Sequence, residues 1–339
     1  MKAVVWRGPR QLSCEDIPLP QPREDWVRLK VLACGYCVTD YHLHTGRLAI
    51  CRPPHVLGHE ICGRVEALGA GVGAELLGRR AVVETYVGCG KCFYCRTGRR
   101  HLCEAGEIGY PPYQGGEAEY VCVPVSCLHF LPEEISDSEA GIMEAVVCPF
   151  GAMMSSSAAG KTVLVYGAGV AGLSFIQAAR IFGARRVICV VRNEVKRAQA
   201  LHFGADAVID ASREEVEGRV REETEGLGAD VFADATGSPA VIEQGFRLVR
   251  RGGQMILYGL PDQDAGVRLP VFDVILNQIS LCGYTGNSAA WEEVIRLTRE
   301  GRLNLKNMVS LELPLEEVQR AVELLDHKPK DMIKIVLKP

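Results

Sequence analysis

The sequence predicts an α/β protein of two domains, one mostly β and one with a parallel sheet wound by helices on both faces. Three observations predict this class. The chain has 339 residues, more than a single hydrophobic core usually serves. Short valine-bearing strands broken by glycine and proline fill the first part, to about residue 145. Apolar strands then alternate with amphipathic helical patterns to about residue 284, as in parallel sheets with right-handed crossovers.

Strand patterns in the first part predict a mostly antiparallel region, at residues 27–32, 63–68, 80–84 and 119–124. The predicted strands of the second part lie at 163–166, 187–192, 207–210, 231–235, 254–258 and 279–283, with helices such as 170–182 and 194–203 between them. Two helices at 289–300 and 315–325 and a strand at 332–337 follow. This tail is too short to fold alone, so we expect it to pack on the first part. The predicted domains are 1–146, completed by 287–339, and 147–286.

The charge balance argues against some classes of partner. The formal net charge is −4, which gives no electrostatic reason to expect a nucleic acid or an anionic membrane. No apolar run approaches the roughly 20 residues that span a bilayer. The first ten residues lack the apolar core of a signal peptide. We therefore expect a cytoplasmic protein.

Fourteen cysteines are a high count for such a chain. Disulfide-rich domains are usually small and secreted, so we interpret most of the cysteines as small buried hydrophobic residues. Four of them share one short loop: Cys89, Cys92, Cys95 and Cys103. Four thiolates at this spacing can close a tetrahedron around Zn²⁺ and leave no open position, which predicts a structural zinc site. The acidic balance disfavours the alternative of a nucleic-acid-binding zinc ribbon.

A second set of metal-ligand types is spread along the chain. It comprises Cys37, the adjacent His59 and Glu60, and Glu144. One thiolate, one imidazole and one carboxylate, with a fourth position left for water or substrate, suit a catalytic zinc. Spacing alone does not establish that these segments meet.

A glycine-rich loop opens the second part of the chain. Gly167, Gly169 and Gly172 form G-x-G-x-x-G, with Val170 and Ala171 inside it, between a predicted strand and a predicted helix. That context makes the motif a strong dinucleotide signature. Gly167 permits the tight turn, Gly169 lets the backbone approach a pyrophosphate, and Gly172 lets helix and strand pack closely.

The end of the next strand bears on the cofactor. NAD-binding folds usually place an acidic residue there, about 20 positions on, to bind the ribose 2′-hydroxyl. This chain has Val191 followed by Arg192. No carboxylate at that position repels a 2′-phosphate, and the guanidinium can bind one. NADP(H) is therefore the favoured cofactor, with NAD(H) as the alternative.

These residues resemble the zinc-containing medium-chain dehydrogenase/reductases, and among them the polyol (sorbitol-like) and threonine dehydrogenase branch. The resemblance runs the whole length of the chain. It rests on Met1-Lys-Ala-Val, Cys34-Gly-Tyr-Cys-Val-Thr-Asp-Tyr-His42, Gly58-His-Glu60, the four-cysteine loop, Gly115-Gly-Glu-Ala-Glu-Tyr120, the glycine loop and Asp234-Ala-Thr-Gly-Ser238. The resemblance implies a GroES-like catalytic domain interrupted by a Rossmann domain.

The resemblance also implies roles for residues of the first domain. Cys37 and His59 match ligands of the catalytic zinc, and Glu60 and Glu144 compete for the remaining place. Asp40 matches a carboxylate that orients the ligands. Thr39 and His42 match a relay that carries the substrate proton to water. Glu117 stands where many relatives have a large apolar residue beside the pocket, which predicts a polar substrate.

The implied function is a zinc-dependent oxidoreductase that transfers a hydride between a secondary alcohol or polyol-type substrate and NAD(P). A homodimer or homotetramer is expected. A carbonyl reductase or a formaldehyde-type dehydrogenase of the same family is the alternative enzyme. A catalytically silent zinc- or NADPH-binding protein is disfavoured, because the ligand and relay residues are intact. The sequence leaves the substrate and the physiological direction open.

Overall fold

The computed structural model describes residues 1–105, 107–108, 114–286, 288–327 and 329–339. Its internal packing separates two units. The first comprises Met1–Ala145, Asn287–Gly301 and Leu305–Pro339, and the second comprises Val146–Gly286 and Arg302–Asn304. No helix among the described residues is both long enough and apolar enough to cross a membrane.

Strands dominate the first unit, whereas strands and helices alternate in the second. The strands are β1 (Lys2–Gly8), β2 (Gln11–Asp16), β3 (Trp26–Tyr36), β4 (His55–Val56), β5 (Glu60–Leu68), β6 (Arg80–Val83), β7 (Tyr86–Val87), β8 (Glu107–Ile108), β9 (Tyr120–Pro124), β10 (Leu128–Phe130), β11 (Thr162–Tyr166), β12 (Arg186–Val191), β13 (Ala207–Asp210), β14 (Ala229–Asp234), β15 (Val249–Leu257), β16 (Ser280–Gly283), β17 (Val309–Pro314) and β18 (Lys334–Lys338). The α-helices are α1 (Val38–Thr45), α2 (Phe93–Arg96), α3 (Asp137–Ala140), α4 (Met143–Met154), α5 (Val170–Ile181), α6 (Glu194–His202), α7 (Val216–Glu223), α8 (Pro239–Leu248), α9 (Val271–Leu276), α10 (Trp291–Arg299) and α11 (Val318–His327).

Strand β3 is central to the first unit. One of its edges pairs antiparallel with β5, and the other pairs with β9 along its first half and with β18 along its second half. The sheet runs in the order β10-β6-β5-β3-β18-β17, and a smaller sheet has the order β2-β1-β4. The closing strand of the chain therefore packs on the first part, as the sequence predicts. Strand β17, which was not predicted from the sequence, pairs parallel with β18.

Alternating side chains explain why β3 lies where it does. Val27, Leu29 and Val31 are buried in one core with residues of β5, β6 and β9, whereas Lys30 is exposed. Burying each such apolar side chain contributes roughly 1.5–3 kcal/mol. A second core packs α1 and α11 against β1 and the end of β3, which fixes α1 at the carboxyl end of that strand.

The second unit is a six-stranded sheet in the order β13-β12-β11-β14-β15-β16. All its strand pairs are parallel. This is the strand order of dinucleotide-binding folds, in which the order reverses between the first and fourth strands, here β11 and β14. The near-continuous burial of β11 and β12 fits a sheet covered on both faces. The predicted Rossmann architecture is confirmed.

Element ends differ from the predictions in ways that matter for the site. Strand β12 ends at Val191, so Arg192 lies just outside it. The tail helix predicted at 315–325 begins with the 3₁₀ turn Leu315–Glu317, and α11 follows. Helix α4 was not predicted, since Pro149 lies inside it and proline disfavours helix interiors.

Candidate functional site

Cys37 lies where β3 passes into α1. It is the N-cap residue of α1. Asp40 lies in the first turn of the helix, and its Oδ2 accepts a hydrogen bond of 2.9 Å from the backbone N–H of Cys37. The backbone N–H of Gly58 donates to Asp40 Oδ1 at 3.2 Å. One fully buried carboxylate thus joins the start of α1 to the turn that precedes His59.

That turn depends on Gly58. Its φ is +93°, and a Cβ there would lie 2.7 Å from both Cys34 Sγ and Glu117. His59 follows this turn, and its Nδ1 lies 3.5 Å from Asp40 Oδ1. Glu60 comes next and begins β5. As a result Cys37, His59 and Glu60 each offer a ligand atom, and these atoms lie within 4.8 Å of one another.

The donor set suits a zinc ion. Sulfur, imidazole nitrogen and carboxylate oxygen are its usual protein ligands, and three of them leave a position open. Cys37 is partly exposed, whereas His59 and Glu60 are buried, so the set is accessible from the side of the thiolate.

Glu144 stands in the first turn of α4 and does not belong to this mutually close set. The Thr85 hydroxyl donates to its Oε1 at 2.9 Å. Burial raises the pKa of Glu144, although its side chain keeps some exposure. Sequence reasoning missed Thr85, because its position beside Glu144 depends on packing between distant segments.

Lys334 was also missed. It is the first residue of β18, and its Nζ donates to Glu60 Oε1. The two side chains are 6% and 0% exposed, so this is a buried ion pair. Burial lowers the pKa of Lys334, but Glu60 and Cys37 raise it more, so the lysine stays charged. A lysine at the start of the apolar strand K-I-V-L-K was the available signal.

Thr39 and His42 both lie on α1 and are both partly exposed. Residues three apart share a helix face, so the two side chains project on the same side.

Glu117 behaves differently from its predicted role. It is fully buried, and neither carboxylate oxygen has a hydrogen-bond partner among the described residues. Burial raises its pKa. This position does not support the predicted contact with a polar substrate.

The four cysteines Cys89, Cys92, Cys95 and Cys103 come together around α2, with their sulfurs within 4.8 Å of one another. Cys92 Sγ and Cys103 Sγ are 3.7 Å apart. A tetrahedron with Zn–S bonds of about 2.3 Å has edges of about 3.8 Å, so the spacing fits a tetrahedral thiolate site.

Thiol ionisation in this loop also points to a cation. Hydrogen bonds from the amides of Lys91 and Cys92 lower the pKa of Cys89 to about 6. Burial raises the pKa of Cys95 to about 11. Metal binding to such a site requires deprotonated thiols and couples to their ionisation.

The glycine loop has the geometry that a dinucleotide needs. Gly167 has φ +103°, a conformation that favours glycine, and a Cβ on Gly172 would collide with the Gly167 carbonyl oxygen. A Cβ on Gly169 would meet nothing within 4 Å, so the space over that residue is open. Gly169 caps α5 with no side-chain hydrogen bond to its first amides. Val170 and Ala171 follow in the first turn, whose N–H groups face phosphate in such folds.

Val191 and Arg192 mark the carboxyl end of β12. Val191 is buried, whereas Arg192 is exposed and makes no ion pair with another described residue. Asp210 ends the neighbouring strand opposite Val191. Its Oδ1 accepts hydrogen bonds from Ser212 N at 3.0 Å and Ser212 Oγ at 2.7 Å. This carboxylate was not considered at the sequence level, and it is engaged within its own turn.

Two family models match the chain. The alcohol dehydrogenase GroES-like domain matches residues 23–133, and the zinc-binding dehydrogenase domain matches residues 171–300. Sorbitol dehydrogenase of Bacillus subtilis (strain 168) is 29% identical over 348 aligned positions, which cover 100% of this chain and 97% of that protein. L-threonine 3-dehydrogenase of Pyrococcus horikoshii is 33% identical over 316 positions, covering 91% and 90%.

Solved structures share the whole fold. A zinc-binding dehydrogenase from Sinorhizobium meliloti 1021 bound to NADP superposes with a TM-score of 0.93 at 30% identity, covering 100% of this chain and 99% of the other. An alcohol dehydrogenase from Escherichia coli CFT073 in complex with NADH also gives 0.93, at 26% identity, with 100% and 99% covered.

Proposed function

The chain belongs to the zinc-containing medium-chain dehydrogenase/reductase family, and on that premise we propose that it oxidises a secondary alcohol or polyol, or reduces the matching carbonyl compound, at a zinc held by Cys37 and His59. As a family member it is an oxidoreductase that uses a nicotinamide cofactor and acts on alcohols. The observation that carries the site proposal is the mutually close set of Cys37, His59 and Glu60 around the Asp40 carboxylate.

The proposed mechanism assigns each residue a task. Bound zinc supplies Lewis acidity, which lowers the pKa of a coordinated hydroxyl. Asp40 orients the His59 ring through Nδ1. The Thr39 hydroxyl would take the proton of the substrate hydroxyl as it releases its own towards the cofactor ribose, and His42, on the same face of α1, would pass that proton to water. The hydride chemistry itself belongs to the nicotinamide.

We assign residues 1–146 and 287–339 to the GroES-like catalytic domain and residues 147–286 to the Rossmann domain. The family-model matches at 23–133 and 171–300 support this assignment. The division of the chain into two packing units supports it as well.

The substrate class rests on the relatives, whose names are those of a sorbitol and a threonine dehydrogenase. Carbonyl reduction as the main direction, or formaldehyde-type oxidation, remains the second candidate. A silent binding protein is disfavoured because Asp40, Thr39 and His42 accompany the ligands. A panel of polyols, cyclitols, amino alcohols and secondary alcohols, followed by NADPH or NADH absorbance, identifies the substrate.

NADP(H) is the proposed cofactor, and the exposed Arg192 beside the neutral Val191 supports it. A 2′-phosphate carries about −1.5 to −2 charges at neutral pH, by analogy with other phosphomonoesters, and needs a cationic partner. The relative bound to NADP and the relative bound to NADH show that this fold accommodates both cofactors. The strand end is therefore what decides the preference.

A homodimer or homotetramer is the proposed assembly. Strand β16 is the last in its sheet, and no described strand pairs with its outer edge. Leu260 and, on α9, Phe272 and Ile275 are 74%, 75% and 71% exposed. An open strand edge near large exposed apolar side chains is typical of a self-association surface.

Loss of a ligand tests the catalytic zinc. Cys37→Ser should abolish turnover with the fold intact. The zinc content should fall from two ions per chain to about one, because the change removes the sulfur ligand of the proposed catalytic zinc. Cys34→Ala, a nearby cysteine outside the metal set, is the matched control. Wild-type activity in Cys37→Ser would disprove the assignment.

The four-cysteine site is tested by stability. Cys95→Ser should lower the melting temperature more than it lowers the activity of the folded fraction, because zinc-binding energy at a closed site is folding energy. Cys122→Ser, a cysteine outside both metal sets, serves for comparison. A Cys95→Ser protein as stable as the parent, still with two zinc ions, contradicts a structural site.

Cofactor preference is measured as kcat/KM with both nucleotides. The parent should favour NADP(H) by about 10- to 100-fold, since a charge-assisted hydrogen bond contributes about 1.5–3 kcal/mol. Val191→Asp with Arg192→Ala should reverse the preference. Arg251→Ala, an exposed arginine near the start of β15, should leave it unchanged. A parent that prefers NAD(H) refutes the interpretation of this strand end.

Assembly is measured by sedimentation velocity. Phe272→Asp should shift the protein towards a smaller species, because a buried interface would have to desolvate the new carboxylate. Leu201→Asp on α6, at 45% exposure, controls for adding a charge to an apolar position. A monomeric parent, or an unchanged mass in Phe272→Asp, argues against this surface.

A further inference from the structure

Glu84 is a buried carboxylate that takes no part in the proposed mechanism. It follows β6 directly, and its side chain is 1% exposed. The Ser288 hydroxyl donates to its Oε1, while Arg100 Nε and His129 Nε2 lie 3.5 Å and 3.3 Å from its Oε2. Buried charges are tolerated when they are paired, and here each partner comes from a different segment of the chain.

Arg100 connects Glu84 to the four-cysteine loop. It lies between Cys95 and Cys103, and its Nη1 donates to the Ser126 carbonyl oxygen at 2.5 Å. The guanidinium is therefore held at two points, by this backbone oxygen and by the ion pair with Glu84. The position of Arg100 depends in turn on the fold of the loop, which bound metal would fix.

Ser288 and His129 connect Glu84 to the start of α10. The 3₁₀ turn Ser288–Ala290 runs directly into that helix. The His129 ring stacks on Trp291, the first residue of α10, with the ring centroids 4.9 Å apart and the ring planes 9° from parallel. Glu84 thus holds this segment through the hydroxyl at one oxygen and through the stacked histidine at the other.

Ser288 stands close to the place where the chain first returns from the second unit, whose long segment ends at Gly286. Strand β16 ends at Gly283, at the carboxyl edge of the six-stranded parallel sheet. Dinucleotides bind at the carboxyl edge of such sheets. A short link therefore runs from the proposed nucleotide-binding edge to the residue that Glu84 holds.

Thr85, the neighbour of Glu84, holds the place where the chain first leaves the first unit. Its hydroxyl donates to Glu144 Oε1 at 2.9 Å, and Ala145 is the last residue of that unit's first segment. Two consecutive residues after β6 therefore hold the first departure of the chain and its first return. All these contacts lie within the first unit.

We propose that Glu84 is a positioning residue that couples the four-cysteine loop to nucleotide binding by the second unit. With metal in the loop, Arg100 is held against Glu84, and Glu84 holds the Ser288 hydroxyl at the start of the returning segment. Loss of the metal releases Arg100, leaves the buried carboxylate with fewer partners and loosens that segment. The proposal rests on the proposed structural zinc, and Glu84 acts through Ser288 without touching substrate or cofactor.

Nucleotide affinity tests the proposal without turnover. The Kd of NADPH is measured by fluorescence titration with no substrate present, and that of NADH in parallel. Glu84→Gln keeps the shape of the side chain and removes its charge, and Ser288→Ala removes the hydroxyl. Each should raise the Kd of both nucleotides about three- to tenfold, because a charge-assisted hydrogen bond is weakened or lost. The zinc content should stay at that of the parent, since neither residue is a proposed ligand.

A double-mutant cycle tests the path through Arg100. Arg100→Met breaks the ion pair and keeps all four cysteines, so it should raise Kd alone but add less than about twofold in the Glu84→Gln chain. Cys95→Ser, which removes a proposed metal ligand, should behave in the same way. Arg99→Gln is the matched control, because Arg99 Nε donates to Thr97 Oγ1 in the same loop, and it should leave Kd unchanged.

Amide hydrogen exchange separates this local role from a general loss of stability. Exchange in residues 288–299 should accelerate in Glu84→Gln and in Arg100→Met, because the returning segment loses its anchor. Exchange in α11, which makes no contact with Glu84 among the hydrogen bonds and ion pairs of the described residues, should stay at the parental rate.

The outcomes are distinct. Additive effects of Arg100→Met and Glu84→Gln on Kd, or a parental Kd in Ser288→Ala, overturn the proposal. Equal acceleration of exchange in α11 and in residues 288–299 overturns it as well. If Cys95→Ser does not fold, the cycle with Arg100→Met decides. A parent chain with no zinc at the four cysteines instead refutes the structural site, and the Arg100→Met cycle then still tests the role of Glu84.

Discussion

The first unit depends on one buried carboxylate, that of Asp40. Its two oxygens accept hydrogen bonds from the backbone at Cys37 and at Gly58, and His59 faces the same oxygen as Gly58. These contacts join the start of α1 to the turn before β5, two segments that come from different parts of the chain. A thiolate and an imidazole can meet at one point only if this junction is fixed, because each lies at the end of a strand or turn. The carboxylate does so with no exposure to water, where its charge-assisted hydrogen bonds are strongest.

The carboxyl groups near Asp40 differ in the partners that they have among the described residues. Glu60 has a cationic partner in Lys334, and Glu144 has a hydroxyl donor in Thr85. Glu117 is as deeply buried as Glu60 and has no hydrogen-bond partner among the described residues. Asp40, Glu60 and Glu144 are thus held by specific hydrogen-bond donors among the described residues.

Features set by local rules were predictable from the sequence. The glycine loop was one such feature, because the steric contacts that require glycine at Gly167 and Gly172 act within a segment of six residues. The four-cysteine loop was another, since all its sulfurs come from one short segment. Cys37, His59 and Glu60 were singled out by residue type and assigned to one site by the family resemblance, and only the fold shows that they meet. The sequence showed only that Lys334 begins an apolar strand pattern. Its contact with Glu60, like that of Thr85 with Glu144, follows from packing between segments far apart in the chain. The sequence pattern predicted that this strand ends at residue 192, whereas β12 ends one residue earlier, at Val191. Hydrophobic periodicity does not resolve strand ends to a single residue.

The place of β18 beside β3 has a consequence for biosynthesis. Glu60 and Lys334 are separated by 274 positions, so translation at about 5–20 residues per second makes the lysine roughly 14–55 s after the glutamate. During that interval the second half of one β3 edge has no strand to pair with, since β9 covers only the first half. An unpaired edge is a template for pairing with other chains. The nascent first unit is thus most exposed to misassembly while the ribosome is still making the second unit, which is the stage at which a chaperone would have most to protect.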